Sequence, residues 1–146
     1  MTFDFDTAPG FLMDRNAHLL RRLVKKTISK IGINLTTEEV AILIALVVED
    51  GRRIGDLAAL LLRDITTITR QVESLEKKGC AKRRLSSTDR RAVEVWITEK
   101  GREFYEQFEP ELNELRERTF EGLSDYDMKI LTRCLQTIRN NFLNLE

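Results

Sequence analysis

Apolar residues in this chain fall into six helix-spaced blocks, with one alternating stretch between the fourth and the fifth. From about Phe11, residues Leu12, Leu19, Leu20, Leu23, Val24, Ile28 and Ile31 recur at helical spacing until Gly32 stops the run. Residues 1–10, ending in Pro9-Gly10, read as a flexible, irregular N-terminus. Thr36-Thr37-Glu38-Glu39 has the form of a capping box: the Thr36 side chain accepts from the Glu39 amide while Glu39 reaches back. The helix it opens is apolar almost all round from Val40 to Val48, which predicts a place at the centre of the core. Arg52-Arg53-Ile54 reads as a short extended link or a one-residue-wide strand, and Gly55 to Leu62 as a compact helix. Asp64 can cap the next helix, Ile65 to Lys78, which buries Ile68, Val72 and Leu75 and stops at Gly79.

A basic segment at Arg83-Arg84, a polar turn with Asp89-Arg90-Arg91, and the alternation Val93-Val95-Ile97 then predict a β-hairpin. Trp96 faces away from Val95 and Ile97 in that alternation, toward packing on a neighbouring helix. Thr98 caps a long helix carrying Phe104, Phe108, Leu112 and Leu115, interrupted or bent at Pro110 and broken at Gly122. Ser124 caps a last helix whose Met128, Leu131, Leu135, Ile138, Phe142 and Leu145 form a heptad seam. The expected fold is mainly α with a small β-hairpin wing. Residues 35–98 form a winged helix-turn-helix lobe, and 11–34 and 99–146 supply dimerisation helices.

Composition narrows the class. A chain of 146 residues, 42% hydrophobic and 33% charged, suits one soluble domain, and no apolar run is long enough to span a bilayer. The acidic N-terminus lacks the layout of a signal peptide. Cys80 and Cys134 are too few for a disulfide scaffold, so a reducing cytoplasm is expected and both thiols read as buried and structural. The single histidine, His18, cannot build a metal site or a nucleophile triad with two distant cysteines. Neither a phosphate-cradling loop nor an acid–base pair supports an enzyme, and no cofactor is expected.

Net charge is zero, but its distribution is uneven. Residues 63–91 hold nine Lys/Arg against four acids, whereas residues 99–146 hold seven against eleven. The basic block coincides with Thr66, Thr67, Thr69 and Arg70 on the outer face of their helix and with the hairpin. β-Branched residues lower helix propensity, so a threonine-rich face chosen only for solubility is an unusual one. A small polar helix front and an arginine-tipped hairpin suit a duplex: the helix offers donors and methyls to major-groove edges, and Arg91 reaches a minor groove. Asp89 can accept from the Arg91 guanidinium and hold the tip in shape. Arg83, Arg84 and Arg90 are placed to contact phosphates.

With the residues laid out this way, the chain resembles the MarR (multiple antibiotic resistance regulator) family. The resemblance rests on Ile54-Gly55-Asp56-Leu57-Ala58, Thr67-Ile68-Thr69-Arg70, Leu75-Glu76-Lys77-Lys78-Gly79, and Asp89-Arg90-Arg91 with Val95-Trp96-Ile97-Thr98 and Gly101. Cys80 stands where the family places a large apolar residue. The resemblance implies a homodimeric transcription regulator, a repressor, that binds a pseudo-palindromic double-stranded operator. It also implies release by a small aromatic or phenolic effector. Dimer contacts would come from Leu12, Leu19, Leu131, Leu135, Ile138 and Phe142. His18 lies where effector pockets of the family open, although a surface or interface histidine is the simpler reading. Two alternatives stand beside this one: a helical dimeric adaptor whose winged helix has lost DNA binding, and a cysteine-based redox regulator. The peroxide-sensing members carry their cysteine in the first helix, where this chain has none.

Overall fold

The computed structural model describes residues 4–146, and its first apolar block forms helix α1 (Pro9–Ile31). This start corrects the expectation that Pro9-Gly10 breaks the chain. Proline at the first helical position lacks only an N–H that would have no helical partner, and its fixed φ suits the turn. The expected irregular segment 1–10 is thereby shortened, and its residues 1–3 lie outside the described residues. Gly32 ends α1 in the left-handed conformation at φ +82°, its N–H donating to the Ser29 carbonyl.

Helix α2 (Thr37–Val48) begins at the expected capping box: Glu39 N donates to Thr36 Oγ1 at 3.1 Å, and Thr36 N donates to Glu39 Oε2 at 3.0 Å. Its apolar character gives it the central position, with Val40, Ile42, Leu43, Ala45 and Leu46 buried. Leu57 and Ala58 of α3 (Ile54–Leu61) and Ile68, Val72 and Leu75 of α4 (Ile65–Lys77) belong to the same core. Each large apolar side chain buried there contributes about 1.5–3 kcal/mol relative to exposure.

The wing is a three-stranded antiparallel sheet rather than a lone hairpin. Strand β1 (Arg52–Arg53) pairs with β3 (Val93–Ile97), which pairs in turn with β2 (Ala81–Leu85), giving the order β1-β3-β2. The register sets Arg52 opposite Val95, and Ala81 opposite Ile97. The two-residue strand matters because an isolated hairpin is marginal in water, and a third strand anchors the wing to the lobe.

Helix α5 (Glu99–Thr119) is held at its start by Thr98, whose Oγ1 accepts from Gly101 N at 3.1 Å and donates to the Gly79 carbonyl at 2.6 Å. Gly101 is buried so tightly that a Cβ there would overlap the Cys80 carbonyl oxygen and the Ile97 side chain. α5 runs through Pro110 without interruption and buries Phe108, which meets Tyr105 edge-on.

Two compact units result, one ending at Leu112 and a second spanning Asn113–Glu146. In the second, helix α6 (Asp125–Leu145) opens with a capping box between Ser124 and Asp127, after Gly122 turns at φ +89°. None of its residues is buried. Met128, Leu131 and Ile138 of the predicted seam are half-buried, whereas Leu135 (45%) and Phe142 (57%) stand exposed. Among the described residues, no helix is long and apolar enough to cross a membrane. Cys80 is buried as expected. Cys134, expected buried, is exposed, because it lies beside the seam on a helix that packs none of its faces fully.

Candidate nucleic-acid interface

The front of α4 is built around Asp64. Its carboxylate accepts from Thr67 N at 2.7 Å and from the Thr67 hydroxyl at 2.8 Å. The backbone bond from Thr67, then the hydroxyl bond, holds the Asp64 carboxyl below its usual range. The cap is therefore complete at neutral pH and is lost only as the pH falls through that lowered value. Thr69 Oγ1 donates to the carbonyl of Ile65, four residues back, at 2.8 Å. Two of the three threonine hydroxyls expected to face outward as donors thus spend their protons inside the helix. Thr66 and Arg70 are exposed, with no hydrogen bond or ion pair among the described residues, and Ile65 is 60% exposed beside them.

What fixes the angle of α4 is a buried ionic cluster that periodicity does not reveal. Glu39, only 3% exposed, accepts from Ser74 Oγ at 2.6 Å and from Lys78 Nζ at 2.7 Å, in addition to closing its own capping box. One carboxylate therefore ties the start of α2 to the last turn of α4. Arg63, in the turn before α4, donates to Gln71 Oε1 at 2.9 Å and to the Glu38 carbonyl at 3.3 Å. Leu62 makes that turn in the left-handed region at φ +53°, its N–H donating to the Ala59 carbonyl.

The wing tip departs from the expected Asp89–Arg91 side-chain pair. Asp89 Oδ1 accepts from the Arg91 backbone N at 3.0 Å, while Oδ2 faces Arg53 Nη1 at 3.7 Å. Arg53 also reaches Thr88 Oγ1 at 3.5 Å, and Ser86 N donates to the Ala92 carbonyl to close the turn. Asp89 thus shapes the backbone and leaves the Arg91 guanidinium without an ion pair among the described residues. The cation it holds comes from β1, far away in sequence. Local spacing singles out Arg91 as its partner because only the sheet brings Arg53 alongside.

Arg90 and Arg91 are exposed. Arg83 is engaged: its Nε meets Glu76 Oε1 at 2.6 Å, and its Nη1 meets Glu73 Oε1 at 3.4 Å. Arg84 lies over the Trp96 ring at 5.4 Å. Trp96 packs on the turn at Gly51, with its Nε1 buried and without an acceptor among the described residues. Gly51 is required there, since its φ is +69° and a Cβ would strike the indole.

The remaining candidates lie elsewhere. Leu12 is half-buried and Leu19 exposed on α1, where His18 is exposed as well. A cleft of about 320 Å³ between α1 and α2 is lined by Lys25, Ile28, Ser29, Leu35, Thr37 and Glu38, without His18. Burial pushes the Cys80 thiol up, against the pull of nearby Lys100. Among the described residues, no group of three or more His, Cys, Asp or Glu converges as a metal site would require.

Known proteins share this arrangement of a helix-turn-helix and a three-stranded wing. The family described as transcriptional regulator SarA/Rot matches residues 22–108, more than half of the chain. An uncharacterized HTH-type transcriptional regulator of Bacillus subtilis (strain 168), YwaE, is 29% identical over 92 residues, or 63% of this chain and 52% of its own. The chain spans about half the length of the curated relatives it matches. CouR from Rhodococcus jostii RHA1, solved with p-coumaroyl-CoA bound, superposes with a TM-score of 0.84 at 25% identity, over 94% of this chain and 95% of that one. MepR of S. aureus, solved in complex with DNA, superposes at 0.84 with 19% identity, over 94% of this chain and 98% of that one. The match through the helix-turn-helix and wing, on a fold shared with the MarR regulators, shows that this chain belongs to the SarA/Rot family of transcriptional regulators.

Proposed function

We propose that the chain is a cytoplasmic, sequence-specific repressor that binds a pseudo-palindromic operator as a homodimer and is released by a small aromatic or phenolic effector. The observation that carries this reading is the division of labour among cations around α4. Arg63, Lys78 and Arg83 are consumed by internal partners, whereas Arg70, Arg90 and Arg91 face outward from the helix front and the wing tip. An adaptor would have no need of a shaped turn that frees an arginine. The same fold in MepR was solved with DNA, and in CouR with a phenolic thioester, which supports both halves of the reading. The half-buried Leu12, Leu131 and Ile138 and the exposed Leu19, Leu135 and Phe142 supply the dimer contacts.

Selection of duplexes from genomic fragments by the purified full chain tests this. The retained sites should show two-fold symmetry with half-site centres about 10 bp apart and two chains per duplex. Retention of no duplex at low salt, or an asymmetric site bound by one chain, overturns the proposal.

The wing yields a second expectation. Arg91→Ala should weaken binding by about 1–3 kcal/mol, as expected for loss of a narrow-groove arginine contact. Asp89→Ala and Arg53→Ala should each weaken it as well, and together cost less than their sum, since both act through the same turn. Fluorescence anisotropy on one selected operator measures the cycle. Additive Asp89 and Arg53 effects would show that the tip does not depend on their pairing.

A further inference from the structure

We infer that the front of α4 reads DNA chiefly through carbon: Ile65 and the Thr69 methyl contact thymine C5-methyl groups in the major groove. This rests on the proposed operator-binding role and specifies what the recognition helix recognises. Ile65 opens the helix with most of its side chain in water, an expensive position for an aliphatic group unless something covers it. Thr69 lies one helical turn further along the same flank, so the two side chains are neighbours. Its hydroxyl donates back to the Ile65 carbonyl at 2.8 Å, and that bond occupies the only proton it could offer a base. Thr67 is in the same position, its hydroxyl bound to Asp64 at 2.8 Å.

The surface of this helix front therefore includes the exposed Ile65 side chain, the half-buried Thr69, and the exposed Thr66 and Arg70. Only the last two carry free polar groups. The patch is continuous along the helix with Arg70, which would approach the backbone of the same groove. Among the base edges of the major groove, thymine alone displays a methyl group. An apolar patch inserted there distinguishes T from C by contact, and it does so without a donor.

The test changes the DNA before it changes the protein. A duplex selected by the full chain is remade with deoxyuridine at the thymines of each half-site, which deletes the methyl and leaves base pairing intact. Burial of one methyl corresponds to about a fourfold change in affinity, so a symmetric pair should weaken binding about fifteenfold. A scrambled duplex given the same replacement should change little. Ile65→Ala should bind the thymine and uracil duplexes more nearly alike, because the contact it loses is the one the uracil duplex already lacks. Thr69→Val keeps the methyl and should retain the preference for thymine, whereas Thr69→Ser keeps the hydroxyl and should lose much of it.

Equal affinity for the two duplexes, or a Thr69→Val loss larger than that of Thr69→Ser, overturns the methyl reading and leaves operator binding standing. Failure to retain any duplex overturns both. The deciding uracil comparison is made with wild-type protein, so a variant that does not fold leaves the decision intact.

Discussion

Raising the salt from about 50 to about 200 mM should weaken duplex binding by on the order of a thousandfold. The net charge of the chain is zero, so the effect must come from where its cations lie and which of them are free. Of the nine Lys/Arg in residues 63–91, Arg63, Lys78 and Arg83 are tied to internal acceptors. Arg70, Lys77, Lys82, Arg84, Arg90 and Arg91 form no ion pair among the described residues. If three to five of these reach phosphate in each protomer, a dimer displaces roughly six to ten counterions, and affinity falls steeply with the logarithm of salt. The slope of binding against salt, read by anisotropy, tests the count. A slope near zero would remove the phosphate contacts, and with them most of the affinity that the proposed function requires. Arg90→Ala should flatten the slope by about one ion per protomer, whereas Arg83→Ala should hardly move it, because Arg83 is already occupied by Glu73 and Glu76.

Lys78→Met should destabilise the fold by about 2–4 kcal/mol, a large share of the margin of a domain this size. The Glu39 carboxylate would keep its bonds from Thr36 N and Ser74 Oγ while losing the counter-charge of Lys78 in an almost fully buried site. The figure lies below that for a wholly buried pair because the Lys78 side chain is about a quarter exposed, so water can reach the vacated end. Adding Glu39→Gln should recover part of the loss, since the amide keeps the geometry of the capping box and carries no charge to strand. Urea unfolding of the wild type, both single variants and the double variant measures the cycle. Additive effects, or a Lys78→Met variant within about half a kcal/mol of wild type, would reduce the cluster to an ordinary surface pair.

The same cluster marks where sequence reading stops. Helices α2, α4 and α6 were legible because caps and apolar repeats are local: Thr36 with Glu39, Asp64, Ser124, and the Ile68-Val72-Leu75 stripe all act within a turn or two of chain. The inward face of β3 follows from its alternation, and the basic block coincides with the recognition helix in plain sequence. The start of α1 lies ahead of the expected Phe11 because Pro9 both breaks and begins helices, and only its surroundings decide which.

Tertiary structure alone decided which polar groups remain free. Arg83 and Arg84 are adjacent and identical, yet one is bound by two carboxylates of α4 and the other lies over Trp96. Asp89 shapes its own turn but takes its cation from Arg53, and Glu39 caps one helix while anchoring another. Cys134 is exposed where a buried thiol was expected, since α6 finds no full cover within the chain. Caps and repeats depend on neighbours within a few residues, which the chain itself supplies. Ion pairs at separations of 36 and 39 residues depend on where the sheet and the core bring distant segments together. Charge by itself does not specify a partner, so the allocation of each cation waits on the fold.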